Sequence, residues 1–399
     1  MAHLIHYRYM KILMVHNYYQ QSGGEDTVFR LEKALLQKYG HQVIEYTDDN
    51  RHLIEMHTVS AAVNAIWSRQ TQRKLKQLIR QTKPDIAHFH NTFLMISPAA
   101  YYTCQEENIP VVQTLHNYRL LCPGALFFRN GEICEDCLSK KIPLSGIVHA
   151  CWRDSTVQTS VVVAMLTVHR LLRTWQKQID QFIVLTEFAK QKFIEGGIPQ
   201  NKISVNPNFL DPDSADQGNE DGRYALFVGR LSPEKGVQML LQAWRQLTNI
   251  PLKIVGTGAM ESDVISFVKR NRLESVQILG AKSHQMVLNL MQRASFLVFP
   301  SVWYEGFPMT IVEAFACGTP VIASKLGGMA EIVVDGLSGL HFEFGNVDDL
   351  RDKVVWAFEH PAEMFQMGRN ARKMYETKYT AERNYQMLIE IYNKVLSRR

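Results

Sequence analysis

The sequence contains no apolar run near the roughly 18 to 20 residues that a bilayer span requires. Its most apolar stretch, Val161–Val168, is short and leads straight into His169 and Arg170. No low-complexity tract and no internal repeat is visible. Cysteine is scarce, six in 399 residues, and hydrophobic (46%) and charged (21%) residues stand in the proportion of a globular protein. That balance excludes a disordered chain, a fibre and a small disulfide scaffold. A signal-peptide core is also missing. Met1–Tyr9 holds two His and an Arg and reads as an extension ahead of an alternative start at Met10, so a cytoplasmic protein is expected. Length alone suggests two or three domains.

A strong excess of one charge is lacking too. The net charge is +5, and it is unevenly placed: residues 1–210 hold 23 Lys/Arg against 17 Asp/Glu, and residues 211–399 hold 21 against 22. The densest basic stretch, Trp67–Lys83, has no acidic residue and sets Arg69, Arg73, Lys76, Arg80 and Lys83 on one helical face. Two readings stand, a solvated helix face or a patch for an anionic membrane or substrate. Aromatic–basic interleaving is absent, and nucleic acid is not an expected partner.

What is present is alternation. Short β-branched runs (Ile12–Val15, Val43–Tyr46, Ile86–Phe89, Val111–Leu115, Phe182–Leu185, Ile203–Asn206) alternate with helix-length segments in the first half. Tyr224–Val228, Leu252–Val255, Val276–Leu279, Phe296–Phe299 and Val321–Ser324 do so in the second. Near-continuous apolar strands followed by helices predict an α/β protein of parallel sheets covered on both faces. A polar, acidic segment marks a linker at 209–222 between domains at 1–208 and 223–378, each doubly wound and Rossmann-like. A ligand cleft is expected between them at the strand carboxyl ends. The last segment, 379–399, carries Tyr385, Leu388, Ile389, Tyr392 and Leu396 on one helical face and is expected to cross back onto the first domain.

The second domain opens with a strand and the loop Gly229-Arg230-Leu231-Ser232-Pro233-Glu234-Lys235-Gly236. A glycine turn between strand and helix frees amides for an anion, and two cations five residues apart reach one phosphate group. Gly256-Thr257-Gly258 ends the next strand as a second close-approach turn, or merely a tight one. The most specific segment is Pro300-Ser301-Val302-Trp303-Tyr304-Glu305-Gly306-Phe307-Pro308-Met309-Thr310-Ile311-Val312-Glu313-Ala314. Proline suits the first turn of a helix starting near Pro308, whose amides favour an anion. Glu305 and Glu313 beside an anion site fit a ligand bearing both phosphate and hydroxyl groups, because carboxylates accept from sugar hydroxyls.

These segments, followed by Ala314-Phe315-Ala316-Cys317-Gly318-Thr319-Pro320, by Gly327-Gly328 to Glu331 and by Asp335-Gly336, resemble glycosyltransferase family 4. Gly23-Gly24-Glu25 and Thr114-Leu115-His116-Asn117 fit the same pattern, and the resemblance covers nearly the whole chain. It implies the GT-B fold and retaining transfer from a nucleotide-diphosphate sugar. It also implies that Arg230 and Lys235 hold the donor diphosphate and that Glu313 accepts from the ribose. Glu305, with Gly306, Phe307, Pro308, Met309 and Thr310, would grip the transferred sugar. Gly23, Gly24, Gly256 and Gly258 would let backbone approach the donor, and His116 would lie beside the sugar or simply be a satisfied strand-end histidine. The expected acceptor is a glycan or lipid-linked oligosaccharide at the inner face of a membrane. With cations and a helix N-terminus in place, no catalytic metal is expected, and the Asp-Asp pairs (Asp48-Asp49, Asp348-Asp349) fall outside the motifs.

Cys122, Cys134, Cys137 and Cys151 lie within thirty residues, in an insertion at about 118–153. A C-x-x-C knuckle with one Cys on each side supplies four thiolates for a structural zinc; unrelated buried thiols are the alternative. Two rivals to glycosyl transfer remain: an epimerase or phosphorylase on the same fold, and a non-catalytic sugar-nucleotide-binding scaffold.

Overall fold

A computed structural model describes residues 9–20, 23–210 and 222–398. Residues 1–8 of the N-terminal extension and 211–221 of the linker lie outside them. The chain divides into two compact units, Met1–Leu126 with Glu135–Pro207 and Asn384–Arg399, and Phe127–Cys134 with Asn208–Arg383.

In the first unit, strands β1 (Lys11–Tyr18), β2 (Gln42–Asp49), β3 (Ile86–Asn91) and β4 (Val111–Thr114) come first in the chain. A two-stranded hairpin, β5 (Phe128–Arg129) and β6 (Glu132–Ile133), interrupts the series before β7 (Gln181–Val184) and β8 (Ile203–Val205). The main sheet is parallel with order β2-β1-β3-β4-β7-β8. In β1 the six residues Ile12–Asn17 are buried without alternation, as a strand covered on both faces requires. The last two are polar and must find partners inside. Asn17 Oδ1 accepts from the N–H groups of Met95 (2.9 Å) and Ile96 (3.2 Å), which pins the loop after β3 against the end of β1.

Val161–Val168 belongs to the helix Thr156–Leu171, and no helix among the described residues is long and apolar enough to cross a membrane. The basic stretch forms the helix Arg69–Thr82, capped by Ser68 and anchored through Leu75 and Ile79. Part of its charge is answered within the fold. Lys76 pairs with Glu106 (3.0 Å) and Glu107 (3.5 Å), and Arg80 with Glu107 (2.9 Å). The patch expected from sequence is therefore reduced by acids the local pattern does not contain.

The C-terminal helix, Ala381–Leu396, lies from Asn384 onward in the first unit. Tyr385, Leu388, Ile389 and Tyr392 are buried as a stripe; Val395, not Leu396, completes it. Tyr385 hydrogen-bonds His41 (2.8 Å) and stacks on Tyr39, and Tyr392 bonds His88 (2.7 Å).

The second unit contains β9 (Gly222–Val228), β10 (Leu252–Val255), β11 (Val276–Gly280), β12 (Ala294–Phe299), β13 (Val321–Ser324) and β14 (Gly339–Phe342), ordered β11-β10-β9-β12-β13-β14 and parallel. Along β9, Ala225 and Phe227 join one core cluster, and Tyr224 and Leu226 the other, so each face of the sheet has its own core. Strand β14 was not expected from sequence. It is short, and Gly339 opens it because a Cβ there would lie 2.0 Å from the Val321 carbonyl oxygen. The hairpin 127–134 corrects another expectation. It groups with the second unit, where Phe127 meets Tyr304 edge to face, and so divides the 118–153 insertion.

Candidate active site

In each sheet the strand order reverses beside the first strand, and ligands of doubly wound sheets collect at the carboxyl ends around that point. In the second unit the reversal lies between β9 and β12. The loop 229–236 follows β9, and the segment 300–308 follows β12.

These two loops are locked together by backbone. Gly236 adopts φ +70, and a Cβ there would sit 1.8 Å from the Pro300 carbonyl oxygen. Val302 N–H donates to Glu234 O (2.9 Å). Lys235 Nζ consequently reaches Glu305 Oε1 at 2.6 Å, with Ser301 Oγ (2.7 Å) and Trp303 Nε1 (2.9 Å) donating to the same oxygen. Glu305 is 5% exposed, so three donors converge on a desolvated carboxylate oxygen and orient it. Ser301 and Trp303 were not assigned roles from sequence, although both stand in the motif; asking what satisfies a buried loop carboxylate would have found them.

Arg230 is exposed at the start of the same loop. Gly256 and Gly258 are needed for a reason other than ligand approach. A Cβ on either would strike the loop 229–231, at 1.9 Å from Gly229 O and 2.4 Å from Leu231 O respectively. Leu231 N–H donates to Thr257 O (2.9 Å), which holds the two turns edge to edge.

Helix Met309–Ala316 begins after Pro308, as expected. The expected row of amides is shorter than the sequence suggested. Pro308 has no N–H, and Met309 N–H is turned back to Phe307 O (3.0 Å). Gly306, Phe307 and Thr310 carry the other amides of this segment. Glu313, one turn into the helix, is half-buried, and burial raises its carboxyl above the usual range while His284, with Nδ1 3.8 Å away, opposes the shift. His284 opens the helix His284–Arg293 and carries no local signal of this role.

In the first unit the reversal lies between β1 and β3. Gly23 caps the helix Gly24–Lys38, and a Cβ on Gly23 or Gly24 would meet nothing within 4 Å. Here the fold leaves room that it does not itself use. Asp26 accepts from Gly23 N–H (2.9 Å) and from His16 Nε2 (2.7 Å), tying the turn to β1. Glu25 Oε2 accepts from Asn117 Nδ2 (3.2 Å), while its Oε1 is buried; burial pushes this carboxyl up to about 7.

His116 lies after β4, half-buried, with Nε2 3.0 Å from Nδ1 of His90 and the two rings stacked. Burial, then the neighbouring His90, holds its pKa well below the usual value, so it is neutral at pH 7. Together with Asn117, Arg119 and Phe93 it lines a small cavity in this unit. The Arg119 guanidinium is held between the rings of Phe93 (4.4 Å) and Trp152 (4.0 Å).

The clustered cysteines are partly placed by Gly124. A Cβ on that glycine would lie 3.8 Å from Cys122 Sγ and 3.7 Å from Cys151 Cβ. Arg170 donates to the carbonyls of Leu120 and Leu121 and to that of Lys140, and so joins the segment before Cys122 to the one after Cys137. Cys134 closes the hairpin by donating from its N–H to Phe127 O (2.8 Å).

Two doubly wound units, each with a polar cluster at its switch point, define an α/β protein of paired parallel sheets. Comparison narrows this. The Glycosyltransferase Family 4 model matches residues 21–214, and the model for Glycosyl transferases group 1 matches residues 212–374. An uncharacterized glycosyltransferase of Methanocaldococcus jannaschii is 35% identical over 54% of this chain. The lipopolysaccharide 1,2-N-acetylglucosaminetransferase of Salmonella typhimurium is 30% identical over 51%. The alignments span 60% and 59% of the lengths of these two relatives. Among solved structures, a glycosyltransferase from Rickettsia africae superposes with a TM-score of 0.71 at 18% identity, covering 98% of this chain and 99% of that one. The Anabaena protein HepE, solved with UDP, gives 0.68 at 18% identity, covering 96% and 100%. The protein belongs to the family 4, group 1 glycosyltransferases and has the GT-B fold.

Proposed function

We propose that this protein moves a sugar from a nucleotide-diphosphate donor to an acceptor hydroxyl in polysaccharide or lipid-linked glycan assembly, with retention of configuration. The observation that carries the reading is the convergence of Lys235, Ser301 and Trp303 on Oε1 of Glu305. It leaves Oε2 to accept from a sugar hydroxyl. On this reading Lys235 is the cation beside the breaking sugar–phosphate bond.

Arg230 and Lys235, with the Gly306, Phe307 and Thr310 amides, neutralise the charge that grows on the departing diphosphate, the largest demand of such a reaction. Glu313 accepts from the ribose, and Gly256 and Gly258 keep the loop that carries Arg230 in place. Gly23, Gly24 and His116 are the first unit's contribution. In front-face transfer the leaving phosphate takes the acceptor's proton, and an inverted anomer in the product would overturn that step.

The test is a thermal-shift and hydrolysis screen against UDP-, GDP-, ADP- and dTDP-sugars with EDTA present. One strong responder, lost in Glu313→Ala and Arg230→Ala, is expected. Donor turnover that needs no acceptor and yields an isomerised sugar would favour the epimerase, and donor binding without turnover would favour a scaffold.

Two subsidiary proposals go with this reading. Cys122, Cys134, Cys137 and Cys151 hold a structural zinc, which the C-x-x-C spacing and the placement of Cys122 and Cys151 around Gly124 support. Elemental analysis of the purified protein should find one zinc per chain; none would remove the idea. The helix Arg69–Thr82 touches an anionic membrane. Charge reversal at Arg73, Lys76 and Arg80 should then weaken binding to phosphatidylglycerol vesicles and leave donor binding unchanged.

A further inference from the structure

We propose that Glu32 and His90 are positioning residues that hold His116 in the tautomer protonated at Nε2, so that Nδ1 is presented as a hydrogen-bond acceptor. Only the consequence for turnover rests on the reading of His116 as a neighbour of the sugar. The tautomer is a property of the first unit by itself.

Each link follows from the one before. Glu32, on the helix Gly24–Lys38, is 4% exposed, and its Oε1 lies 2.9 Å from His88 Nδ1 and 3.2 Å from His90 Nε2. The carboxylate stays ionised: burial opposes this, and His88 and His90 outweigh it. Neither atom has a hydrogen bond of its own, and a buried carboxylate oxygen this close to a ring nitrogen electrostatically favours hydrogen on that nitrogen over a bare lone pair. His90 Nε2 therefore carries hydrogen. Burial holds the pKa of His90 down to about 4, so at neutral pH the ring has one proton and Nδ1 is bare. That bare nitrogen faces His116 Nε2 at 3.0 Å, which can only be a donor, and Nδ1 of His116 is left as the acceptor.

The local structure serves this chain of contacts. Between β1 and β3 the register passes from Val15↔Phe89 to His16↔Asn91, so His90 is an extra residue outside the ladder. Such irregularities re-aim side chains next to functional sites. Glu32 is held from the other side by His88, whose Nε2 bonds Thr114 Oγ1 (2.7 Å) and whose Nδ1 also meets Tyr392 OH (2.7 Å). Glu32, His88 and His90 have ligand-type atoms within 4.8 Å of one another. His88 Nδ1 already meets Tyr392 OH at 2.7 Å, however, which leaves two of the three atoms for an ion.

The test is long-range ¹H–¹⁵N correlation of the imidazoles in the full-length protein labelled with ¹⁵N-histidine, the His116 signals being assigned by their loss in His116→Gln. His116 protonated at Nε2 in the wild type is expected, and a proton on Nδ1 or a mixture of tautomers overturns the proposal without any further variant. In His90→Phe, which keeps a ring and removes both nitrogens, His116 should become a mixture, and Glu32→Gln should change the His90 signals. An unchanged His116 in a His90→Phe protein that melts like the wild type also overturns it, as does stoichiometric metal lost on Glu32→Gln. With the donor from the screen, His90→Phe should lower kcat about tenfold with little change in donor KM, a magnitude typical of residues that orient a site group from behind. If His116→Gln leaves turnover intact, the sugar-side reading of His116 fails while the tautomer result stands.

Discussion

The two units solve the same problem, placing polar groups at a switch point, with different materials. In the second unit the work is done by backbone. Gly236, Gly256 and Gly258 let neighbouring loops touch carbonyl to Cα, and Lys235 and Glu305 meet as a result. In the first unit the switch-point glycines Gly23 and Gly24 have nothing within 4 Å of an added Cβ, and side chains from β1, β3, β4 and two helices build the cluster around His116. A backbone-built site tolerates no added Cβ. A side-chain-built one tolerates it and is sensitive instead to protonation and to single hydrogen bonds.

The sharpest way to break this comparison is to add one methyl group to each unit. Gly236→Ala forces a Cβ onto the Pro300 carbonyl at positive φ and should destabilise the protein by about 3 kcal/mol. Gly23→Ala, at φ −122 with open space around it, should cost under about 1 kcal/mol in a thermal melt while lowering donor turnover. Equal melting shifts would show the contrast to be false.

Next in size is the buried carboxylate. Glu305→Gln keeps the shape and removes the charge that Lys235 balances, and kcat on the donor found by the screen should fall about a hundredfold with little change in melting temperature. A variant with wild-type kcat would remove Glu305 from the chemistry.

The side-chain-built unit should show its character in pH dependence. Glu25 is raised by burial from 4.5 to about 7, the hydrogen bonds from Tyr19 and Asn117 opposing the shift. The folded state thus keeps a proton that the unfolded chain has released, so stability falls as pH rises from about 4.5 to about 7 and then levels off. Glu25→Gln should flatten that part of the curve and raise the melting temperature at pH 8 relative to the wild type. Parallel curves for the two proteins would refute the assignment. The smallest effect is expected from Tyr385→Phe. It removes the 2.8 Å bond to His41, keeps the stack on Tyr39, and should cost about 1 kcal/mol in denaturant titration.

The same contrast explains what could be read in advance. Arg230, Lys235, Glu305 and Glu313 stand in two short segments, and a strand–turn–helix places them without reference to the rest of the chain. Gly256 and Gly258 were legible as a close-approach turn or merely a tight one, yet what they approach, the adjoining loop 229–231, was not. His88 and His90 are polar residues in an otherwise apolar strand, and nothing near them in sequence points to Glu32, more than fifty residues earlier. The basic helix was read as a single-sign face because Glu106 and Glu107 pack on it from another helix.

By itself the sequence determined the parallel α/β sheets, the division into two units, the family and the two short loops that carry Arg230, Lys235 and Glu305. All of these depend on patterns within one strand–helix repeat, where backbone geometry and burial act over a few residues. Tertiary structure alone decided that Ser301 and Trp303 share Glu305 with Lys235. It also decided that Lys76 and Arg80 of the basic helix pair with acids, that hairpin 127–134 joins the second unit, and that Glu32 stands behind His90 and His116. A buried polar group takes whatever partner lies within about 3 Å. Which residue that is depends on how distant segments pack, and no local pattern records it.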